Sequence, residues 1–253
     1  MLVSVNGGRG AADGVAVPLS PPDLVESALA AVAAGAGEVL VHPRTPCGRE
    51  SLSPRVVGPL LEAMRGAGVL VPLSVSAGIG TEPDPAERLE RVRSWTVLPD
   101  RAVVHFAEPG AEALARALLA RGVAVDAVVP LDGEGGAGAE PDAEPGPGPL
   151  ERFLAWPVRD TARIRLAVEL AAADPALVAG LRWLPPVPLL LFGRGAAAWP
   201  VLRLAARCGA ATRTGVGDVL HLPDGRPART NAQLVAAARE ISAAVGAATA
   251  GSR

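Results

Sequence analysis

Lysine is absent from this chain: all 24 basic residues are arginine. A Schiff-base aldolase, a lysine-anchored pyridoxal phosphate enzyme and a Walker-type phosphate loop each need that amine, so all three are excluded. Tyrosine is absent as well, and no phenol can serve as acid or base. His42, His105 and His221 are the only imidazoles, which keeps the list of bases and metal ligands short. Cys47 and Cys208 are too few for a disulfide framework, and their spacing fits no metal motif. No apolar run reaches membrane-spanning length. The first ten residues lack the charged start and long apolar middle of a signal peptide. A net charge of -2 offers little attraction to nucleic acid or an anionic membrane surface. The expected partner is a small molecule, with no nucleic acid and no membrane, in the cytoplasm.

What is present suits a globular core: 253 residues, 49% of them hydrophobic. That length accommodates one large α/β domain or two small ones. Along the chain, short apolar runs alternate with amphipathic stretches. Residues 2–5 form a strand, and Ser20 caps a helix with prolines in its first turn and an acid three residues on. Strands follow at 39–42, 69–75, 101–106, 123–129, 164–170, 187–192 and 211–216. Helical stripes lie in the gaps between them, except between 123–129 and 164–170, where none is read, and after the last strand, where Asn231 opens the final helix. Eight such units predict a single-domain (β/α)₈ barrel over residues 1–253. A doubly wound open sheet is the alternative, but the first strand lacks a GxGxxG fingerprint. Residues 131–149 hold five acids and no base among Gly, Ala and Pro, and read as a mobile surface loop.

In a barrel the site lies at the C-terminal ends of the strands. Taken in order, those ends carry Asn6, then His42 and Arg44, Ser76, His105 and Glu108, Asp126, Arg194, and finally Arg213 and Asp218. His42 and Arg44 share one face of an extended chain with Leu40. Gly193, Arg194 and Gly195 either cradle an anion ahead of a helix or make an ordinary glycine turn. Arg213 with Asp218 is either a structural ion pair or a carboxylate base held by a guanidinium. His221 reads as part of an exposed turn, and nothing in the sequence marks Cys47 as an activated thiol.

Five blocks carry a resemblance: NGGR from Asn6, VHPRTPCGRESL around His42, SVSAG around Ser76, VVHFAEPG around His105, and TRTGVGDVLHLPDGRPARTNAQLV from Thr212. In this order the chain resembles the β-keto acid cleavage enzyme family, from Val3 to about Ile241. The resemblance implies a (β/α)₈ barrel that holds a divalent metal, usually zinc, and condenses a β-keto acid with acetyl-CoA to give acetoacetate and a new CoA ester. It also implies that two histidines of strand two and a glutamate after strand eight hold the metal. Here those positions are Leu40, His42 and Gly217, so His42 is the one ligand retained. Arg213 and Asp218 match the family's arginine and aspartate. Thr45 replaces an aspartate, His105 an Asn or Thr, and Asp126 a glutamate.

One histidine does not make a zinc site, since catalytic zinc takes three protein ligands. The departures therefore imply altered, metal-independent chemistry on a carbonyl or carboxylate substrate, with no tightly bound cofactor. On this reading His42, His105, Asp218 and Arg213 are catalytic. Asn6, Arg44, Ser76, Glu108, Asp126 and Arg194 hold the substrate. A rival reading rebuilds a zinc site from His42 and His105 with Glu108 or Asp218, and keeps acetyl-CoA as co-substrate. A third makes the chain a non-catalytic ligand-binding relative. The family's habit also implies a homo-oligomer.

Overall fold

The computed structural model describes residues 1–14, 16–131, 147–157, 160, 162–181 and 187–250. The eight strands are β1 (Leu2–Ser4), β2 (Glu38–Val41), β3 (Leu73–Ser76), β4 (Arg101–His105), β5 (Ala124–Pro130), β6 (Ile164–Glu169), β7 (Leu189–Phe192) and β8 (Ala211–Thr214). They pair in parallel in sequence order, and β8 returns to β1 to close the barrel. The intervening helices are α1 (Pro21–Ala33), α2 (Pro54–Gly66), α3 (Pro85–Arg93), α4 (Ala111–Ala120), α5 (Pro149–Ala155), α6 (Pro175–Gly180), α7 (Ala198–Cys208) and α8 (Asn231–Ala250). The expected (β/α)₈ barrel is observed. Among the described residues no helix is long and apolar enough to cross a membrane.

Local chemistry sets the element ends. Ser20 Oγ accepts from the Asp23 amide while the Asp23 carboxylate accepts from the Ser20 amide, the reciprocal cap the sequence predicts for α1. The strand expected over residues 69–75 starts later, at Leu73. Gly68, at φ +95°, turns the chain out of α2 so that the Gly68 and Val69 amides donate back to Arg65 and Met64 carbonyls. This is a glycine helix cap, and it consumes the first residues of the apolar run. Helix α5 was not anticipated. Its Phe153, with Trp156 just beyond, packs on Phe106, each ring centroid 5.4 Å away. Most of the acidic segment expected as a loop, residues 132–146, lies outside the described residues, as does Leu184, placed by its spacing on the helix face that became α6.

Inside the barrel, side chains two apart on a strand stack at successive heights. At the N-terminal end Arg165 reaches Glu38 (2.8 and 2.7 Å) and Asp126 (2.9 and 2.7 Å). Arg101 bonds the same Asp126 (2.9 and 2.5 Å). Two cations and two anions thus compensate one another out of water. Above them Leu40, Val103, Val128, Ala167, Leu190 and Phe192 form a separate apolar cluster with Leu2. His42 and His105 stand one step higher, at the C-terminal mouth. Asp126 is therefore not a substrate-holding residue of the mouth, as its strand suggested. It faces inward but two layers too low, beneath the apolar layer.

Removing the Asp126 carboxylate would leave half-buried Arg101 without its anion and buried Arg165 with Glu38 alone. Asp126→Ala is expected to cost about 3–5 kcal/mol of folding stability in urea unfolding. A loss below about 1 kcal/mol would contradict a compensated network.

Candidate active site

Six of the residues expected at the mouth line one pocket: His42, Ser76, His105, Arg194, Arg213 and Asp218. Ser4 and Gly217 complete its wall, and Leu40 and Val103 of the apolar layer close its floor. The free space in this pocket is about 20 Å³, room for a water-sized group. A wider hollow of about 410 Å³ lies beside it, where Gly195 and Val219 adjoin the pocket's Arg194 and Asp218 and Arg9, Trp199 and His221 form the far side.

On the β2 side, every neighbour of His42 holds it. Asn6, fully buried, donates to the His42 carbonyl and accepts from its amide, both at 2.9 Å. His42 Nδ1 lies 3.0 Å from Glu50 Oε2. The loop returns on itself through a bridge between Arg44 and Glu50, which brings the carboxylate back under the ring. Burial works against the Glu50 charge, but the His42 hydrogen bond and the Arg44 charge outweigh it and hold the carboxyl below its ordinary range. Arg44, buried, spends its terminal nitrogens on the carbonyls of Gly48 (2.7 Å), Gly7 (3.0 Å) and Arg9 (2.5 Å). Asn6 and Arg44 brace the first two loops against each other, and neither is among the residues that line the pocket. Their strand-end positions were legible, but which backbone their side chains would meet was not.

On the β8 side, Arg213 donates to both oxygens of Asp218, at 2.9 and 2.6 Å. Its guanidinium lies 3.6 Å over the Phe192 ring, a contact worth about 0.5–2 kcal/mol. The remaining nitrogen, Nη1, makes no protein hydrogen bond among the described residues. Arg213 and Asp218 are held by a close approach of β1 and the loop after β8. The Gly217 amide donates to the Ser4 carbonyl at 3.0 Å. Asn231 ties Val216 (2.8 Å) to Val5 (2.7 Å). A Cβ at Gly7 would lie 2.6 Å from Gly217 Cα, and one at Gly217 would overlap the Ser4 hydroxyl.

His105 projects from the end of β4, one strand beyond the β3 neighbour of His42's strand. Burial, then the charges of Arg194, Arg213, His42 and Arg88, push it down to about 3, so it is a neutral imidazole at physiological pH. Neither its ring nor the Ser76 hydroxyl makes a protein hydrogen bond among the described residues, and both face the pocket. Glu108 sits behind it, accepting from the Ile79 amide (2.9 Å) and pairing with buried Arg88 (3.2 Å). Burial raises its carboxyl despite these partners. It fastens the β3 loop and is not among the pocket's lining groups. Arg194 pairs with Glu169 of β6 at 2.9 Å on the half-exposed rim. The Gly195 amide donates to the Asp218 carbonyl at 2.8 Å, so this glycine turn ties β7 to β8. Cys47 departs from expectation: Thr45 and Arg49 lower its thiol to about 7. It is nevertheless exposed and outside the pocket. His221 is in an exposed turn, as its HLPDGR setting predicts.

The zinc site implied by the family pattern does not fit these residues. Leu40 is 1% exposed within the apolar layer, and Ser4 occupies the space a side chain at position 217 would need. A rebuilt site fares no better, since Glu108 and Asp218 are committed to Arg88 and Arg213. Among the described residues no group of three or more His, Cys, Asp or Glu side chains is placed to hold a metal.

Comparison with known proteins gives a consistent family assignment. The family model for the beta-keto acid cleavage enzyme matches residues 2–118 and 168–253. No curated protein matches the chain. Among solved structures, ObcA in a ternary complex with a C4-CoA adduct and oxalate superposes with a TM-score of 0.61 at 14% identity, over 91% of this chain and 64% of ObcA. The chain thus spans a little under two thirds of ObcA. Dihydropteroate synthase of Yersinia pestis is similar at a TM-score of 0.56 and 15% identity, over 99% of this chain and 94% of the other. Phospho-2-dehydro-3-deoxyheptonate aldolase of Thermotoga maritima gives 0.60 and 15%, over 98% and 68%. At such identities the likeness establishes the barrel and nothing finer.

The depressed His105 has a measurable consequence. An unfolded histidine binds its proton near pH 6.5, whereas the folded one binds it only near 3. The unfolded state therefore holds more protons in that window, and this contribution to stability is full above about 6.5 and lost as pH falls toward 3. His105→Asn is expected to flatten the acid limb of stability between those values. In the parent protein the His105 ring protons are expected to show no NMR titration from pH 8 to 5; a midpoint near 6.5 would contradict the burial described.

Proposed function

Since the chain belongs to the beta-keto acid cleavage enzyme family, we propose that it performs acid–base chemistry beside a carbonyl on a small carboxylate substrate, without the family's metal. The observation that carries this reading is the meeting of His42 and His105 in one pocket with the free edge of Arg213, where the metal positions have become Leu40 and Gly217.

The substrate carboxylate lies against Arg213 Nη1 and the Ser76 hydroxyl, with Arg194 at the rim. His42 Nε2 takes a proton from the carbon next to the carbonyl: the C–H bond breaks, an N–H bond forms, and the electron pair moves onto the carbonyl oxygen. Neutral His105 donates a hydrogen bond to that oxygen, as a preorganised donor in a water-poor site does. Asp218, with both oxygens accepting from Arg213, balances and orients the guanidinium and is not the free base. The enolate so formed is what carbon–carbon cleavage or condensation next to a carbonyl requires. A larger co-substrate such as acetyl-CoA would lie in the adjoining hollow, with only its reacting end at the floor.

With a chelator present, the protein is expected to accelerate deuterium incorporation from D₂O into the methylene carbon of acetoacetate, followed by NMR. His42→Ala and His105→Gln should each slow this by roughly 10²–10⁴-fold, the usual worth of general acid–base catalysis. No acceleration by the parent protein, or its abolition by chelator, would overturn the proposal; saturable binding without exchange would indicate a ligand-binding relative instead.

Restoring the family residues tests the closed metal position separately. Leu40→His/Gly217→Glu is expected to lose several kcal/mol of stability, from a polar group in the apolar layer and an opened backbone contact. It should also gain no stoichiometric zinc by mass spectrometry. A stable, zinc-loaded double variant would contradict the fit described here.

A further inference from the structure

We propose that Glu50 is the positioning residue of this pocket, holding His42 in the tautomer whose Nε2 lone pair faces the substrate. The inference deepens the acid–base reading and rests on it only for what the lone pair then does.

Three features of the structure converge on this role. A carboxylate can only accept a hydrogen bond, so Glu50 Oε2 at 3.0 Å from His42 Nδ1 requires the proton on Nδ1, and in the neutral ring Nε2 is then the acceptor. The two ring nitrogens point to opposite sides. With Nδ1 turned to Glu50 and the ring lining the pocket, Nε2 is the nitrogen presented there. Both partners are also immobilised. Asn6 grips the His42 backbone at its amide and carbonyl, which removes freedom at the root of the side chain. Gly8 and Gly80 flank the Glu50 carboxylate, and Cβ atoms added there would stand 3.4 and 3.6 Å from its oxygens. Arg44 lies 3.5 Å from Oε1 and supplies the compensating charge. His42 occupies a position where the family pattern has a metal ligand.

Only three histidines are present, so the test is direct. Long-range ¹H–¹⁵N correlation of the full-length ¹⁵N-labelled protein at pH 8, assigned with His105→Gln and His221→Gln, reports the tautomer of each ring. His42 is expected to carry its proton on Nδ1. Glu50→Gln, whose amide oxygen can still accept, should retain that tautomer, and Glu50→Ala should shift it to the Nε2–H form that free histidine favours. A parent protein with His42 already as Nε2–H, or doubly protonated, would overturn the proposal without recourse to any variant. So would a folded Glu50→Ala that keeps the Nδ1–H form. Because the readout is independent of turnover, the expected tautomers without acetoacetate exchange would refute the reaction and leave the positioning intact.

Discussion

The geometry of the mouth depends on how closely β1 and the loop after β8 approach. Gly217 lies against Gly7 and Ser4 with no room for a Cβ, and the Gly217 amide to Ser4 carbonyl bond continues the β1–β8 pairing past the last strand residue. Asn231, at the start of the final helix, holds both sides of this seam from behind. Backbones that meet this way cannot slide without breaking buried hydrogen bonds. Asp218 follows Gly217 directly, so its carboxylate, and through it Arg213, inherits the seam's position. The same contact that aims the pair also excludes a ligand side chain at 217.

A second constraint is electrostatic. The barrel holds two polar assemblies, one at each end, separated by the apolar layer of Leu40, Val103, Val128 and Phe192. In such surroundings an uncompensated charge is expensive. Asp126 and Glu38 answer Arg101 and Arg165 below, while Asp218 answers Arg213, Glu169 answers Arg194 and Glu50 answers Arg44 above. Once the charges are matched, the unmatched polar groups at the mouth are uncharged: the His105 ring and the Ser76 hydroxyl, beside the free edge of Arg213. Burial, and after it the cations around His105, keep it neutral, and a neutral imidazole in a cationic pocket suits a substrate that arrives with its own negative charge.

Leu40 illustrates how a single substitution alters both chemistry and packing. A histidine there would project from the same face as His42, two residues on, into the layer that Leu40 now completes. An apolar side chain in that place makes the pocket's floor apolar. Ser4 and Gly217 complete the pocket's wall, and Glu50 gives His42 a carboxylate partner.

Alternating apolar runs and helical stripes were enough to count eight units and infer a closed barrel, because periodicity and capping are local properties of a chain. Strand-end position was likewise enough to bring His42, Ser76, His105, Arg194, Arg213 and Asp218 to one end. Height and partner were not legible. Period two assigns Asp126 to the inner face but leaves open which layer it joins, since that depends on the stagger of β5 against its neighbours. The roles of Asn6 and Arg44 as braces, of Glu108 as a loop anchor, and of Ser4 and Glu50 as parts of the site all arise from contacts across loops distant in sequence. The chain by itself determined which faces are buried and which end carries chemistry; only the tertiary structure decided which donor meets which acceptor, because hydrogen bonds and ion pairs are selected by register and loop closure that no local pattern encodes.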